Sequence, residues 1–163
     1  MIKGLGNLKR KDIKDLNIIK DTISNCEVVR LAMCEDNTPY MVPLNYGYEF
    51  DENNNLVLYC HFANIGKKVD ILLKNPNVFI EIDNQHNIIK DKNSYDCEYE
   101  YLSIMSNGKV EFIHNIYDKV HGLNKIMDHS ASNLKNKFKN EVLNKIFLLK
   151  ITCNNLSAKK CKI

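Results

Sequence analysis

The sequence predicts a mainly β protein of the α+β class. Six short, mostly antiparallel strands make a small closed or nearly closed barrel with helices at its periphery. Three features point there. Runs rich in β-branched and alternating residues follow one another through short turns, which suits antiparallel pairing. The regular strand–helix alternation of a parallel doubly wound sheet is missing. The 163 residues, 44% apolar and 26% charged, read as one globular domain over 1–163 with enough chain to bury a core.

The elements follow in order. Ile13, Leu16, Ile19 and Ile23 recur at helical spacing, which predicts a helix over 9–24. Residues 28–34 read as a strand, 35–39 as a turn, and 40–48 as a second strand, bulged or at a sheet edge because Pro43 removes one ladder donor. A turn over 51–55 precedes a third strand at 56–61. A short helix over 67–74 ends at Asn75-Pro76, since the residue before proline avoids the helical region. Strand four is 78–83, and 84–98 is a polar loop. Residues 99–112 read as a long strand with a bulge at Gly108, and 116–129 as a helix capped by Asn115. A short helix over 133–143, a sixth strand at 146–152 and an irregular polar tail over 154–163 complete the chain.

Composition narrows the function. A net charge of +3, with lysines spread among acids and asparagines, gives no stripe for nucleic acid. The six cysteines form no C-x-x-C pair, so no metal site is expected. The start of the chain lacks the apolar core of a signal peptide, and no run reaches the ~20 apolar residues of a membrane span. A reducing cytoplasm with free thiols is the expectation, with Cys34 and Cys60 as small core residues inside apolar runs.

One stretch carries chemistry. After the strand ending in Tyr59-Cys60-His61-Phe62, a loop reaches Gly66, and a helix opens with Lys67 and Lys68. A helix N-terminus offers unpaired N–H groups and partial positive charge, which suit a phosphate. Two cations added there oppose the helix dipole unless an anion is near. By spacing alone, two solvated lysines after an ordinary turn glycine are the favoured reading.

The wider context resembles the pyridoxamine 5′-phosphate oxidase-like flavoproteins, and within them the nitroimidazole-resistance, nitroreductase-like branch. The resemblance rests on Thr38-Pro39-Tyr40-Met41-Val42-Pro43-Leu44-Asn45-Tyr46-Gly47-Tyr48, on Leu58-Tyr59-Cys60-His61-Phe62-Ala63 and on the segment from Gly66-Lys67-Lys68 to Asn75-Pro76-Asn77-Val78. Arg30-Leu31-Ala32, Tyr101-Leu102-Ser103-Ile104 and Leu123-Asn124-Lys125-Ile126-Met127-Asp128-His129 extend it over nearly the whole chain. It implies a Greek-key split β-barrel that dimerises, with FMN at the interface. It also implies that Lys67 and Lys68 hold the FMN phosphate, that His61 and Phe62 lie beside the cofactor, and that the backbone of Val42, Pro43, Leu44 and Asn45 runs along the flavin edge. Ser103 matches a polar residue reaching the ring. His61 matches a histidine able to move a proton, with a strand-end hydrogen bond as the plainer role. His129 fits a helix-end cap, Tyr46 and Tyr48 fit packing or an interface, and His86, His114 and His121 fit the surface.

Two departures matter. The family's glycine-rich S-V-I-G-x-G is here Ser103-Ile104-Met105-Ser106-Asn107-Gly108, and the Lys-Lys pair lacks arginine's bidentate fork. Three functions compete: an FMN-dependent oxidoreductase passing electrons from a small donor to a nitroaromatic or similar small acceptor; a flavin-binding module without turnover; and, more distantly, a haem-binding relative. The C-terminal substrate pattern of the true oxidase is not found in the tail.

Overall fold

In the computed structural model of the chain, the described residues are 10–89, 98–130, 138–143 and 145–161. They form two compact units. One draws on the described residues of Met1–Cys26, Ile82–Met105 and Ser157–Ile163; the other on those of Glu27–Glu81 and Ser106–Leu156.

The elements are β1 (Arg10–Ile13), α1 (Leu16–Asn25), β2 (Val28–Glu35), β3 (Thr38–Asn45), β4 (Gly47–Phe50), β5 (Leu56–Ala63), α2 (Lys67–Lys74), β6 (Asn77–Ile89), β7 (Glu98–Ile113), α3 (Ile116–Ser130), α4 (Asn140–Leu143) and β8 (Ile146–Cys161). The protein is mainly β, as expected. The strands lie in the order β3-β2-β6-β7-β8-β5-β4, with β1 paired to β8, so the sheet has two ends and is not closed. Every pairing with an assigned register is antiparallel.

Among the described residues, eight strands stand where six were expected. Residues 10–13, read as the start of a helix, form β1 against β8, from Arg10↔Cys161 to Ile13↔Ala158. The helix starts later because the Asp15 side chain accepts from Asn17 N at 2.9 Å and caps it. The strand expected over 40–48 breaks at Tyr46 into β3 and β4. The polar segment over 84–98 is strand up to Ile89, and residues 90–97 lie outside the described residues. The tail, expected to be irregular, continues β8 to Cys161, with Ala158 and Cys161 buried. Of the helix expected over 133–143, residues 131–137 lie outside the described residues and α4 covers the end. The helices over 67–74 and 116–129 match closely.

Pro43 obeys the edge alternative. β3 ends the sheet order, and its register with β2 runs unbroken from Val28↔Asn45 to Glu35↔Thr38, so no bulge is needed. Gly108 likewise serves close strand approach: a Cβ there would meet Ile151 Cγ2 at 2.9 Å and Val78 Cγ2 at 3.2 Å.

The second unit buries Leu31, Leu58, Cys60, Ile80, Leu149 and Ile151 in its sheet, and Val57, Tyr59 and Leu148 against Leu123 and Ile126 of α3. A Cβ on Gly47 would lie 2.2 Å from Ile126 N, so only glycine lets α3 sit this close to β4. Cys60 is core, as expected. Cys34 is exposed instead, because alternation along β2 puts it on the outer face opposite Pro39. Among the described residues, no helix is long and apolar enough to cross a membrane.

Candidate functional site

Three elements of the second unit meet at the candidate site: edge strand β3, the end of β5 and the start of α2. Gly66 joins the last two with φ 122° and ψ 166°, a conformation that is essentially glycine-only. No atom lies within 4 Å of where its Cβ would be, so backbone conformation, not space, demands the glycine. No side chain caps α2; Val69 N–H and Asp70 N–H fold back onto the Gly66 carbonyl at 2.9 and 3.3 Å. The amides of Lys67 and Lys68 are first-turn donors with no intrahelical acceptor.

The lysines are held by aromatic faces. Lys67 Nζ stands 5.0 Å from the centroid of the Tyr40 ring on β3, and Lys68 Nζ stands 4.6 Å from that of Phe62 on β5. Among the described residues neither has a carboxylate in ion-pair reach. Nearby Lys74, by contrast, pairs with Glu35 at 3.0 Å.

His61 is half-buried, and its Nδ1 is fully buried with no hydrogen-bond partner among the described residues. Burial, reinforced by the charge of Lys68, lowers its pKa, so the ring is held neutral at neutral pH. An orphaned buried imidazole nitrogen is costly unless something bonds to it.

Strand alternation divides the expected residues. Val42 and Leu44 pair with the fully buried Leu31 and Val29, and Tyr40 pairs with buried Met33, so these three face inward. Met41, Pro43 and Asn45 face the other way, beside Ala32, Arg30 and Val28. The four residues Val42–Asn45 therefore share only a strand backbone, and an edge strand leaves part of that backbone free to bond. His61 and Phe62 are also on opposite faces of β5, His61 with Tyr59 and Phe62 with Cys60. Lys68 reaches both, through the Phe62 ring and the field at His61. Ser103 belongs to the first unit, half-buried on β7 between the buried Leu102 and Ile104.

Sequence reasoning missed Tyr40 and a second cluster. Tyr40 gave no signal beyond alternation on an edge strand. The second cluster centres on Glu49 of β4. It accepts from Tyr59 Oη at 2.7 Å, pairs with Lys125 Nζ at 3.0 Å and meets His121 Nε2 at 3.1 Å. Burial would raise this carboxyl's pKa, but those three bonds outweigh it and hold it at about 2. The same burial and bond raise the Tyr59 pKa. His121 thus has a set place at the surface rather than a free one. His129 lies in the last turn of α3, with ring centroids 4.7 Å from Tyr46 and 5.1 Å from Tyr48; Tyr46 is fully buried, so these tyrosines pack. His86 pairs with Asp83 at 3.0 Å within the first unit.

At the altered segment, Ser106 is buried and its hydroxyl donates to Asn154 O at 2.6 Å. A serine in place of glycine is thus absorbed by strand-to-strand bonding. Among the described residues no cluster of three or more His, Cys, Asp or Glu side chains is arranged to hold a metal ion.

Known proteins resemble this geometry over nearly its whole extent. A crystal structure of a protein from Bacteroides thetaiotaomicron, provisionally assigned to 5-nitroimidazole antibiotic resistance, is 27% identical; the match covers 93% of this chain and 87% of that one, with a TM-score of 0.82. An FAD and haem binding protein from Mycobacterium smegmatis shares the fold at 15% identity, covering 95% of this chain and 74% of that one, with a TM-score of 0.78. So does the flavocytochrome Anf3 of Azotobacter vinelandii at 12% identity, covering 95% and 70%, with a TM-score of 0.73. In sequence alone, an uncharacterized protein of Rhizobium meliloti (strain 1021) is 38% identical over 56 residues, 34% of this chain and only 33% of that protein. The family model for pyridoxamine 5′-phosphate oxidase matches residues 17–160, and the chain belongs to that family.

Proposed function

We propose that this protein binds FMN and works as an FMN-dependent oxidoreductase on a small acceptor, of the nitroaromatic, 5-nitroimidazole-like kind. The observation that carries this reading is the pair of ammonium groups at the start of α2, with no carboxylate partner among the described residues, beside a buried imidazole nitrogen that lacks a hydrogen bond. These residues fit the cofactor. Lys67, Lys68 and the first amides of α2 would hold the phosphate. The free backbone of Val42–Asn45 offers both donors and acceptors to the polar edge of the ring. Phe62, buried on β5, would act through Lys68, whose ammonium lies over its ring, and Ser103 enters by resemblance only. Bound FMN would supply the electron transfer; the chain supplies binding, orientation and one proton-handling group. That group is His61, whose neutral ring is able to hold or take up a proton at Nδ1.

A homodimer fits the surface. Met41 and Phe79 flank Ala32 on the outer face of β3, β2 and β6 and are 58% and 42% exposed, apolar side chains that a second copy would cover. The similarity to a protein assigned to 5-nitroimidazole resistance supports the choice of acceptor. A haem-binding reading has one observation in its favour, the unpartnered His61 Nδ1, together with the haem binding of a relative that shares the fold. Haem has propionate carboxylates but no phosphate, so it would draw less directly on the lysines and free amides at the start of α2.

The test is an absorption spectrum of the purified protein with FMN, with sedimentation to give the oligomeric state. Flavin bands that co-migrate with a dimer are expected, and the Lys67→Ala/Lys68→Ala protein should lose at least about tenfold in FMN affinity. Undiminished affinity in the double variant refutes the phosphate assignment, and a Soret band in place of flavin bands selects the haem reading. Flavin binding without steady-state reduction of nitro compounds leaves a binding module without turnover.

A further inference from the structure

We propose that Tyr40 and Phe62 are positioning residues of the anion site, each holding one lysine ammonium over its ring face without neutralising it. The proposal rests on the reading above, in which Lys67 and Lys68 receive the phosphate of the cofactor.

A lysine at an exposed helix start has three N–H donors on a long flexible stem, and nothing in its own chemistry fixes where the charge sits. Proteins commonly fix such a charge with a carboxylate, as Glu35 does for Lys74 at 3.0 Å on the last turn of the same helix. A carboxylate at the first turn would fill donors and cancel the charge that an anion must find. An aromatic face avoids both costs. Its quadrupole attracts the cation at 4.5–6 Å but accepts no strong hydrogen bond, so the three donors stay available. Lys67 and Lys68 are both arranged this way, at 5.0 Å from Tyr40 and 4.6 Å from Phe62.

The rings are anchored far better than the lysines. Tyr40 is half-buried on the inward face of β3 opposite Met33, and Phe62 is buried on β5 opposite Phe147. They come from two different strands, so the two ammonium groups are steadied from two directions around the N-terminus of α2. The first-turn acid, Asp70, forms no ion pair with either lysine. A ligand chemistry follows: a phosphate monoester dianion, which takes several N–H donors and two positive charges at once.

The experiment compares FMN with riboflavin, which has the same ring and no phosphate, by quenching of flavin fluorescence in the wild-type protein and in Tyr40→Phe and Tyr40→Leu. Tyr40→Leu should weaken FMN about two- to fivefold and leave riboflavin unchanged, while Tyr40→Phe, which keeps the ring face, should bind FMN as the wild type does. Phe62→Leu should follow Tyr40→Leu, with its melting temperature recorded because Phe62 is buried. Equal losses for FMN and riboflavin would mean that Tyr40 only shapes the pocket, and unchanged FMN affinity in Tyr40→Leu would mean that the ring does not position the lysine; either overturns the proposal. Failure of the wild-type protein to prefer FMN over riboflavin would instead overturn the phosphate reading on which the proposal stands.

Discussion

Two charged clusters of the second unit are built on opposite plans. On the α3 side, Glu49 is saturated: Tyr59, Lys125 and His121 all address one carboxylate, and its pKa is held at about 2. At the start of α2, two cations meet aromatic rings and no carboxylate among the described residues. The first cluster is complete within the chain and ties a helix to a sheet. On the reading proposed above, an anion completes the second. A charge whose partners are all present serves the fold, whereas solvent-facing charges without a counter-ion are candidates for holding an anion.

The largest break in this contrast comes from the seat of α3. Gly47→Val would put a side chain where Ile126 N and the Lys125 carbonyl carbon stand, both 2.2 Å from the Cβ position. Backbone cannot give way as a side chain can, so α3 must lift and the Glu49 cluster must open. A stability loss of about 3 kcal/mol or more is expected by denaturant titration. A loss below about 1 kcal/mol would show that α3 does not depend on this contact.

The contrast sharpens when the same measurement is made on both clusters. Tyr59→Phe removes a donor from an ionised, partly buried acceptor and should cost about 1–2 kcal/mol of stability. Lys67→Ala and Lys68→Ala, measured without flavin, should each stay within about 0.5 kcal/mol of the wild type, because no carboxylate is left behind. A lysine substitution as costly as Tyr59→Phe would make the α2 pair structural and remove its functional meaning.

The sequence disclosed these clusters unequally, for physical reasons. Local signals fixed α2: a glycine that tolerates φ 122°, a lysine pair, and Asn75-Pro76 as terminator. Core strands showed themselves through runs such as Leu56-Val57-Leu58-Tyr59-Cys60, all buried. What escaped depends on pairing between distant segments. β1 and the end of β8 are polar, and what makes β1 a strand is its register with that end, from Arg10↔Cys161 onward. Glu49, Tyr59, His121 and Lys125 come from β4, β5 and α3, and no spacing rule joins them. Tyr40 was hidden in the same way, since its partner Lys67 lies on α2, beyond two intervening strands.

The smallest expected effect concerns pH, and it separates the open cluster from the closed one by window. Glu49, lowered from 4.5 to about 2, contributes stability that is complete above about pH 4.5 and is lost as the pH falls toward 2. His61 is lowered from 6.5, first by burial and then by Lys68. The unfolded chain therefore takes up its proton before the folded one does. Stability from this residue is complete above about pH 6.5 and declines as the pH falls toward the lowered value. Of the two, only His61 has an ordinary value, 6.5, that lies between pH 5 and 8. Because it is half exposed, solvent screening keeps the effect small. The difference in melting temperature between wild type and His61→Gln across that range isolates it from the other histidines: the wild type should lose more on acidification. Added FMN should then shrink the difference, since a phosphate dianion at Lys68 offsets the charge that helps depress the imidazole. Parallel pH profiles for the two proteins would show that the fold does not depress His61, and an FMN-independent gap would place the anion away from Lys68.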